Sequence, residues 1–254
     1  MVADGVAYQA NFVKVALNVM LPKEGGENTL PSVLRGWFGE DAGKLDDAFR
    51  SVTTVEIAQD LSDAVRRAGV HCLIGFQRRY DPTFAAVRAR MDAGEIGDPE
   101  MLVVTSRDPG APPVEYLKRS GGIFKDMLIH DFDIFRWILD DEAESVYATG
   151  SCLTDPAVAS VGDVDATAVT IRTRKGRLAQ INTIRRAVYG YDQRFEVIGA
   201  KGMLQAGNHR PTEVVASTAE SVSADKPEHF FLERYRVAYA NEMAHFFETL
   251  ASGT

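Results

Sequence analysis

Six short strand-like segments, separated by turn residues, dominate the chain between residues 145 and 218. They read SVYATGSC, DATAVTIRT, GRLAQINTIRRA, RFEVIGA, GMLQAG and TEVVAST, and the RKG and AKG turns between several of them predict an antiparallel meander. A further strand, MLVVTSR, lies among helical patterns: DPTFAAVRARMDAGEIG and SGGIFKDMLIHDFDIFRWIL before the meander, and FFLERYRVAYANEMAHFFETLA after it. Residues 81–254 therefore predict an α+β domain.

Residues 44–80 show a different pattern, a helix followed by a short apolar run. The segment LDDAFRSVTTVEIAQDLSDAVRRAG spaces its apolar residues at three and four and ends at Gly69, a typical helix-closing glycine. The run HCLIGF predicts a strand that is covered on both faces, as in a parallel sheet. We therefore expect residues 44–80 to form one αβ unit of a doubly wound fold. Residues 1–43, rich in glycine, glutamate and turn residues, predict no packed domain of their own.

Composition restricts the class of protein. The chain is 45% hydrophobic and 25% charged, which is typical of a soluble globular protein, and its net charge of −8 argues against nucleic-acid or membrane partners. No apolar run approaches the ~18 residues of a membrane span, and the N-terminus does not resemble a secretory signal. Cys72 and Cys152 lie in apolar, strand-like surroundings and predict two buried free thiols. We expect a cytoplasmic protein that handles a small molecule.

The stretch GGIFKDMLIHDFD, residues 121–133, carries the strongest candidate chemistry. If it is one helix, Asp126 and His130 project from the same face one turn apart, with Met127 between them. A carboxylate beside an imidazole suits general acid–base catalysis, because the carboxylate fixes the tautomer and stabilises the charged ring. Two alternatives stay open: a core histidine that Asp126 satisfies, and a metal site formed with Asp133.

Two further segments carry candidate binding residues. In IGFQRRYD, Gln77 and Arg78 follow the predicted buried strand, where open α/β sheets bind ligands; the alternative is a solvated basic turn. In RRAVYGYDQR, tyrosines flank a glycine between arginines, and such side chains recognise polyols or carboxylates, although a packing role is also open. The sequence contains no G-x-G-x-x-G and no Walker-type phosphate loop, so no motif predicts cofactor binding.

From about Ala68 to its end, the chain resembles the glucose–fructose oxidoreductase/inositol dehydrogenase family, most of all its inositol 2-dehydrogenase branch. The matching stretches are GFQRRYDP, AGEIGDPEMLVVTSRDP, SGGIFKDMLIHDFD, GDVDATAV, YGYDQRFEVIGAKGM and FFLERYRVAYANE. The resemblance implies an N-terminal Rossmann domain for NAD and a C-terminal α+β domain whose open sheet serves assembly. It implies hydride transfer between NAD and a ring secondary alcohol of a cyclitol or sugar.

The family motifs assign roles to individual residues of this chain. The D-x-x-x-H stretch makes Asp126 and His130 catalytic, with His130 as the base, and the G-F-x-R-R segment places Arg78 near nicotinamide and substrate. The resemblance implies that Tyr189 faces the substrate, and we count Gln77 and Met127 with the substrate-binding candidates.

The first part of the chain departs from the family pattern. It has neither the glycine-rich loop nor the E-K-P motif with its catalytic lysine, and Lys44 is the one candidate to replace that lysine. We therefore expect a truncated Rossmann remnant at 44–80, an unmatched segment at 1–43 and a substrate and oligomerisation domain at 81–254, with helices on one sheet face. The expected function is an NAD-dependent oxidoreductase that forms dimers or tetramers. The alternative is an inactive remnant that only binds a polyol or assembles.

Overall fold

The computed structural model describes residues 63, 65–69 and 71–252. One compact unit comprises Phe76–Lys118 and Gly122–Phe247, and the other described residues belong to a second unit. In that second unit, residues 65–68 are helical and Gly69 ends the helix with a φ of +63°, which confirms the predicted helix end. Residues 1–62, including the segment 1–43 and Lys44, lie outside the described residues. The domain boundaries at 43 and 80 therefore stay predictions.

The core of the larger unit is a six-stranded sheet with the order β2-β3-β4-β1-β5-β6. Its strands are β1 (Pro99–Arg107), β2 (Ala143–Ser151), β3 (Ala166–Thr173), β4 (Leu178–Ile184), β5 (Asp192–Gly199) and β6 (Gly202–Ala206). Every neighbouring pair is antiparallel except β1 and β4, which run parallel. A separate antiparallel hairpin consists of β7 (Val215–Ser217) and β8 (Val222–Ala224). The mainly antiparallel sheet is confirmed, but β1 inserts between β4 and β5, so the predicted meander is interrupted.

The helices precede, interrupt and follow the strands along the chain. They are a 3₁₀ helix (Gln77–Tyr80), α1 (Pro82–Asp92), α2 (Val114–Ser120), α3 (Ile123–Asp126), α4 (Leu128–Leu139), α5 (Pro156–Ala159), α6 (Phe231–Arg234) and α7 (Arg236–Ser252). Helix α1 begins with a proline at its first position, and the Asp81 carboxylate caps it by accepting from two backbone N–H groups. No helix in the described part of the chain is long and apolar enough to cross a bilayer.

Burial alternates along β3, β4, β5 and β6 and separates the two faces of the sheet, whereas the edge strand β2 is exposed along almost its whole length. On β1, Leu102 and Val104 are fully buried, whereas Met101, on the opposite face, is exposed. The buried face packs against α1 and α4, where the rings of Phe84 and Phe195 meet edge to face at 4.8 Å. The opposite face is open, which confirms the prediction of helices on one face.

Three local expectations were wrong. Residues 71–76 form no strand, because a strand needs a hydrogen-bonded neighbour and no described residue pairs with this segment. Both cysteines are free, but Cys72 is exposed and Cys152 half-buried, since neither lies on the buried side of a strand. Residues 121–133 form two helices instead of one, because Met127, with φ −115° and ψ −55°, departs from helical geometry between α3 and α4.

Glu242 on α7 generates a prediction about stability and pH. The residue is 5% exposed, and burial raises the pKa of its carboxyl from 4.5 to about 7. The folded state therefore holds a proton that the unfolded state releases, so the free energy of unfolding falls as pH rises from about 4.5 to 7 and stays lowered above that range. Glu242→Gln should remove this loss, which is worth about 3 kcal/mol near pH 8, and change little near pH 4.

Urea unfolding of both proteins at the two pH values is the measurement. Glu248→Gln removes the same charge at an exposed position of α7 and is the control. Its stability should depend on pH as that of the wild type does. A Glu242→Gln variant that loses as much stability between the two pH values as the wild type would contradict the assignment.

Candidate active site

The segment FQRRY turns as a single 3₁₀ helix that brings two polar side chains into the protein. Gln77 and Arg78 are each only 3% exposed, whereas Arg79 points outward and pairs with Asp133 through two hydrogen bonds of 2.6 and 2.8 Å. The alternative of a solvated basic turn is therefore wrong for Gln77 and Arg78. A buried charge is stable only when it is paired, so the residues that contact Arg78 are the starting point for describing the site.

Arg78 forms a buried ion pair with a residue in the first turn of α4. Its Nη1 donates to Asp131 Oδ1 at 2.5 Å, and the Asp131 side chain is fully buried. Gln193 Nε2 on β5 donates to the same oxygen at 3.2 Å, and Ser106 Oγ on β1 donates to Gln193 Oε1 at 2.7 Å. The hydroxyl of Tyr191 lies 3.5 Å from Arg78 Nη2. This network ties the 3₁₀ helix to α4 and to two neighbouring strands.

The electrostatics of the network keep Arg78 charged and His130 neutral. Burial alone would favour a neutral guanidinium, but the Asp131 carboxylate raises the pKa of Arg78 well above its usual range. His130, one residue before Asp131, is 8% exposed; burial first, and then the nearby Arg78 cation, lower its pKa well below the usual 6.5. The ring of Phe76 meets the imidazole edge-on at 6.0 Å. A neutral imidazole at neutral pH is able to accept a proton.

Asp126 ends α3 and is held by two groups from other parts of the chain. Arg185 Nη2 donates to Asp126 Oδ2 at 2.7 Å, and the hydroxyl of Tyr116 donates a short hydrogen bond to Oδ1. The Asp126 side chain keeps 12% of its surface exposed, whereas Arg185 is only 1% exposed. Since the helix breaks at Met127, the expectation that Asp126 and His130 share one helix face is wrong. Their pairing as an acid–base couple stays a prediction.

Sequence reasoning missed Asp108, which follows β1 directly. Burial raises the pKa of its carboxyl to about 6; the Arg185 cation opposes this rise, and the Asp126 carboxylate adds to it. Asp108, Asp126 and Arg185 are therefore close enough to interact. The signal that could have found Asp108 is its position immediately after a strand, in the segment SRDP, where the chain turns into a loop.

The other predicted residues occupy separate places. Tyr189 donates to Asp192 at 2.6 Å and accepts from Arg107 at 3.0 Å, so it is Tyr191 that reaches Arg78. Met127 is 5% exposed and packs into the hydrophobic core. Substrate contacts of Tyr189 and Met127 stay predictions. The structure brings Arg78 close enough to His130 for its charge to act on the imidazole. The charges of Arg78 and Asp126 both act on the carboxyl of Asp108.

An open, mainly antiparallel sheet with helices on one face, together with this buried set of charged and titratable side chains, defines an α+β domain that carries a buried polar cluster. The sequence model of the GFO/IDH/MocA C-terminal domain matches residues 84–205. The chain belongs to the GFO/IDH/MocA family.

Similar proteins carry dehydrogenase names. An inositol 2-dehydrogenase of Rhizobium meliloti is 49% identical over 181 residues, which cover 71% of this chain and 55% of that protein. A scyllo-inositol 2-dehydrogenase (NAD(+)) of Bacillus subtilis is 40% identical over 201 residues, covering 79% and 58%. The crystal structure of a probable dehydrogenase from Thermotoga maritima superimposes with a TM-score of 0.77 at 37% identity, covering 91% of this chain and 69% of that one. The chain thus spans somewhat more than half the length of the curated relatives.

The buried ion pair predicts a strong dependence of stability on its two partners. Arg78→Met leaves the Asp131 carboxylate buried without a cation and should lower the free energy of unfolding by about 3–5 kcal/mol. The double variant Arg78→Met/Asp131→Leu removes both charges and should regain most of that loss. Arg136→Met, which breaks an exposed pair with Glu142, is the control and should cost at most about 1 kcal/mol.

Chemical denaturation of the wild type and the three variants measures these differences. If Arg78→Met costs no more than Arg136→Met, or if the double variant is no more stable than the single one, the buried pair does not have the role assigned to it.

Proposed function

We propose that this chain is an oxidoreductase of the inositol 2-dehydrogenase type, and that its described residues bind a secondary alcohol of a cyclitol or sugar and move the proton of that alcohol. The observation that carries the proposal is a buried His130 that directly precedes Asp131, the partner of Arg78 in a buried ion pair. The relatives named above supply the substrate class, since their names are those of inositol dehydrogenases.

Gln77 and Arg78 offer complementary groups for a hydroxyl. Gln77 Oε1 and Arg78 Nε are buried, and neither has a hydrogen-bond partner among the residues that the structure describes. An unsatisfied buried acceptor or donor costs free energy, and a bound hydroxyl relieves both, since it donates and accepts at once. A polyol presents several such groups, which favours this class of ligand over an apolar one.

His130 and Asp126 have distinct roles in the proposed proton transfer. The neutral imidazole of His130 accepts the alcohol proton, and the cation of Arg78 stabilises the negative charge that develops on the oxygen. Asp126, fixed by Arg185 and Tyr116, supplies a carboxylate on the other side of the helix break. This carboxylate stabilises the imidazolium that His130 becomes. Asp108, with a pKa of about 6, adds a group that gains a proton on mild acidification.

The names of relatives imply an NAD-type cofactor, but carboxylates already occupy three of the helix starts in the described part of the chain. A dinucleotide phosphate binds at a helix N-terminus through free N–H groups. Here Asp81 caps α1, Asp155 caps α5, and Asp163 accepts from Ile123 at the start of α3. A carboxylate at each of these ends repels a phosphate. The chemistry of the described residues is therefore binding and proton transfer, and hydride acceptance is assigned to none of them.

Substitution of His130 tests the proposed function. With myo-inositol and NAD, His130→Asn and Asp126→Asn should each lower kcat/KM at least ~10²-fold, because each removes a group that acts in proton transfer. His229→Asn, at an exposed histidine, is the matched control and should keep the wild-type value. NADH fluorescence, measured on the same samples, should be unchanged by all three substitutions.

The titration with NADH also separates the two outcomes that would contradict the proposal. A His130→Asn variant that binds NADH and oxidises inositol as well as the wild type would exclude His130 as the base. A chain that neither binds NADH nor oxidises inositol would replace the enzyme by a polyol-binding or assembling remnant.

We also propose a homo-oligomer formed through the open sheet face. A row of apolar side chains runs across four strands there, because the register aligns Leu178, Met101, Ile198 and Met203 as cross-strand neighbours. Leu178 and Met203 are 40% and 48% exposed, and contiguous exposed apolar surface marks interaction sites.

Met101→Lys, in the centre of this row, should reduce the mass measured by light scattering from that of a dimer or tetramer to that of the monomer. Val222→Lys, at an exposed valine of the β7–β8 hairpin, is the control and should keep the oligomer. A monomeric wild type, or a Met101→Lys protein of unchanged mass, would contradict the assignment of this face.

A further inference from the structure

The turn that carries Asp126 begins without a cap of its own. Gly122, with a φ of +84°, precedes α3 and has no side chain to accept from the first N–H groups of the helix. Asp163, which lies far along the chain in the loop before β3, supplies the missing acceptor: its Oδ1 accepts from Ile123 N at 3.0 Å. The fit is close, since a Cβ atom on Gly122 would lie 3.2 Å from the same oxygen.

Asp163 also takes part in the charge balance around the ion pair of Asp126. Burial lowers the pKa of Arg185, but the carboxylates of Asp126, Asp108 and Asp163 stabilise the charged guanidinium, and the pKa of Arg185 is raised as a result. The guanidinium that holds Asp126 is thus influenced by Asp163 as well. The Asp163 carboxylate therefore accepts a hydrogen bond at the start of the turn and also acts on Arg185, the cation that binds Asp126 at the end of the turn.

The loop around Asp163 is itself tightly organised. The fully buried carboxylate of Asp165 accepts from the backbone N–H groups of Leu153, Thr154 and Asp155 at 2.7–2.9 Å. The backbone carbonyl of Asp165 accepts from Arg185 N at 2.9 Å. On the other side, the backbone N–H of Asp163 donates to the Val158 carbonyl at 3.3 Å, so the loop is held before and after Asp163 and its carboxylate is able to act as a rigid support.

We propose that Asp163 is a positioning residue of the candidate active site: its carboxylate caps the Ile123–Asp126 turn and, together with Arg185, fixes where the Asp126 carboxylate lies. It acts through Asp126 and touches no reacting atom. The effect on the turn is independent of the proposed function, whereas the effect on turnover rests on it.

Hydrogen exchange tests the effect on the turn without any activity. The amides of Lys125, Asp126 and Met127 donate to Gly122 or Ile123 carbonyls at 2.9–3.1 Å and report on the turn. Asp163→Ala should speed their exchange about tenfold. Asp163→Asn, which keeps an acceptor oxygen, should restore most of the protection. Asp155→Ala, which removes the cap of α5 from the same region of the chain, should loosen residues 156–160 and leave the three reporter amides unchanged.

Unchanged protection in Asp163→Ala would overturn the proposal, and so would an Asp163→Asn variant as poorly protected as Asp163→Ala. If Asp163→Ala fails to fold, Asp163→Glu, which moves the carboxylate by one methylene, provides the same comparison against Asp163→Asn.

The assay with myo-inositol and NAD then tests the consequence for catalysis. Asp163→Ala should lower kcat about tenfold with KM nearly unchanged, and Asp163→Asn should regain most of it, whereas Asp155→Ala should match the wild type. Faster exchange with an unchanged kcat would overturn the catalytic part of the proposal. A wild-type chain without activity would refute the proposed function, and the exchange data would still decide whether Asp163 holds the turn.

Discussion

The ion pair between Arg78 and Asp131 is the interaction on which the candidate site depends. Both side chains are almost completely buried, so each charge is tolerable only because the other is present. Gln193 and Ser106 complete the pair with neutral hydrogen bonds that reach β5 and β1. The pair therefore ties the 3₁₀ helix to the sheet and to α4. It also places a permanent cation close enough to His130 to lower the pKa of the imidazole.

A second centre of charge forms around Arg185, and the contrast between the two centres gives the site its chemical character. In the described part of the chain Arg78 pairs with Asp131, whereas Asp126, Asp108 and Asp163 all act on Arg185. Burial raises the pKa of Asp108 to about 6, the Asp126 carboxylate adds to this rise, and the Arg185 cation opposes it. A neutral imidazole lies near the Arg78–Asp131 ion pair, and the carboxyl group of Asp108 takes up a proton near pH 6. Such groups are able to donate to and accept from the hydroxyl groups of the proposed substrate.

The sequence allowed the strands, most helices and the family to be predicted, because alternation, helical spacing and the family stretches are local features. The prediction failed where the outcome depends on contacts between distant segments. The break at Met127 separates α3 from α4 although the spacing of Asp126 and His130 fits one helix. The insertion of β1 between β4 and β5 depends on pairing across the whole sheet. Asp131 and Asp163 escaped notice because their partners, Arg78 and Ile123, lie 53 and 40 residues away.

The most direct test of a polyol site is an NMR titration of the isotope-labelled chain with myo-inositol in the absence of any cofactor. Binding at the site described here should shift the amide signals of Arg78, Asp108, Asp126 and His130 in a saturable manner. Signals on the open sheet face, such as that of Met101, should not move. Saturable shifts that leave these four residues unaffected, or no shifts at all with millimolar polyol, would contradict the assignment of the site.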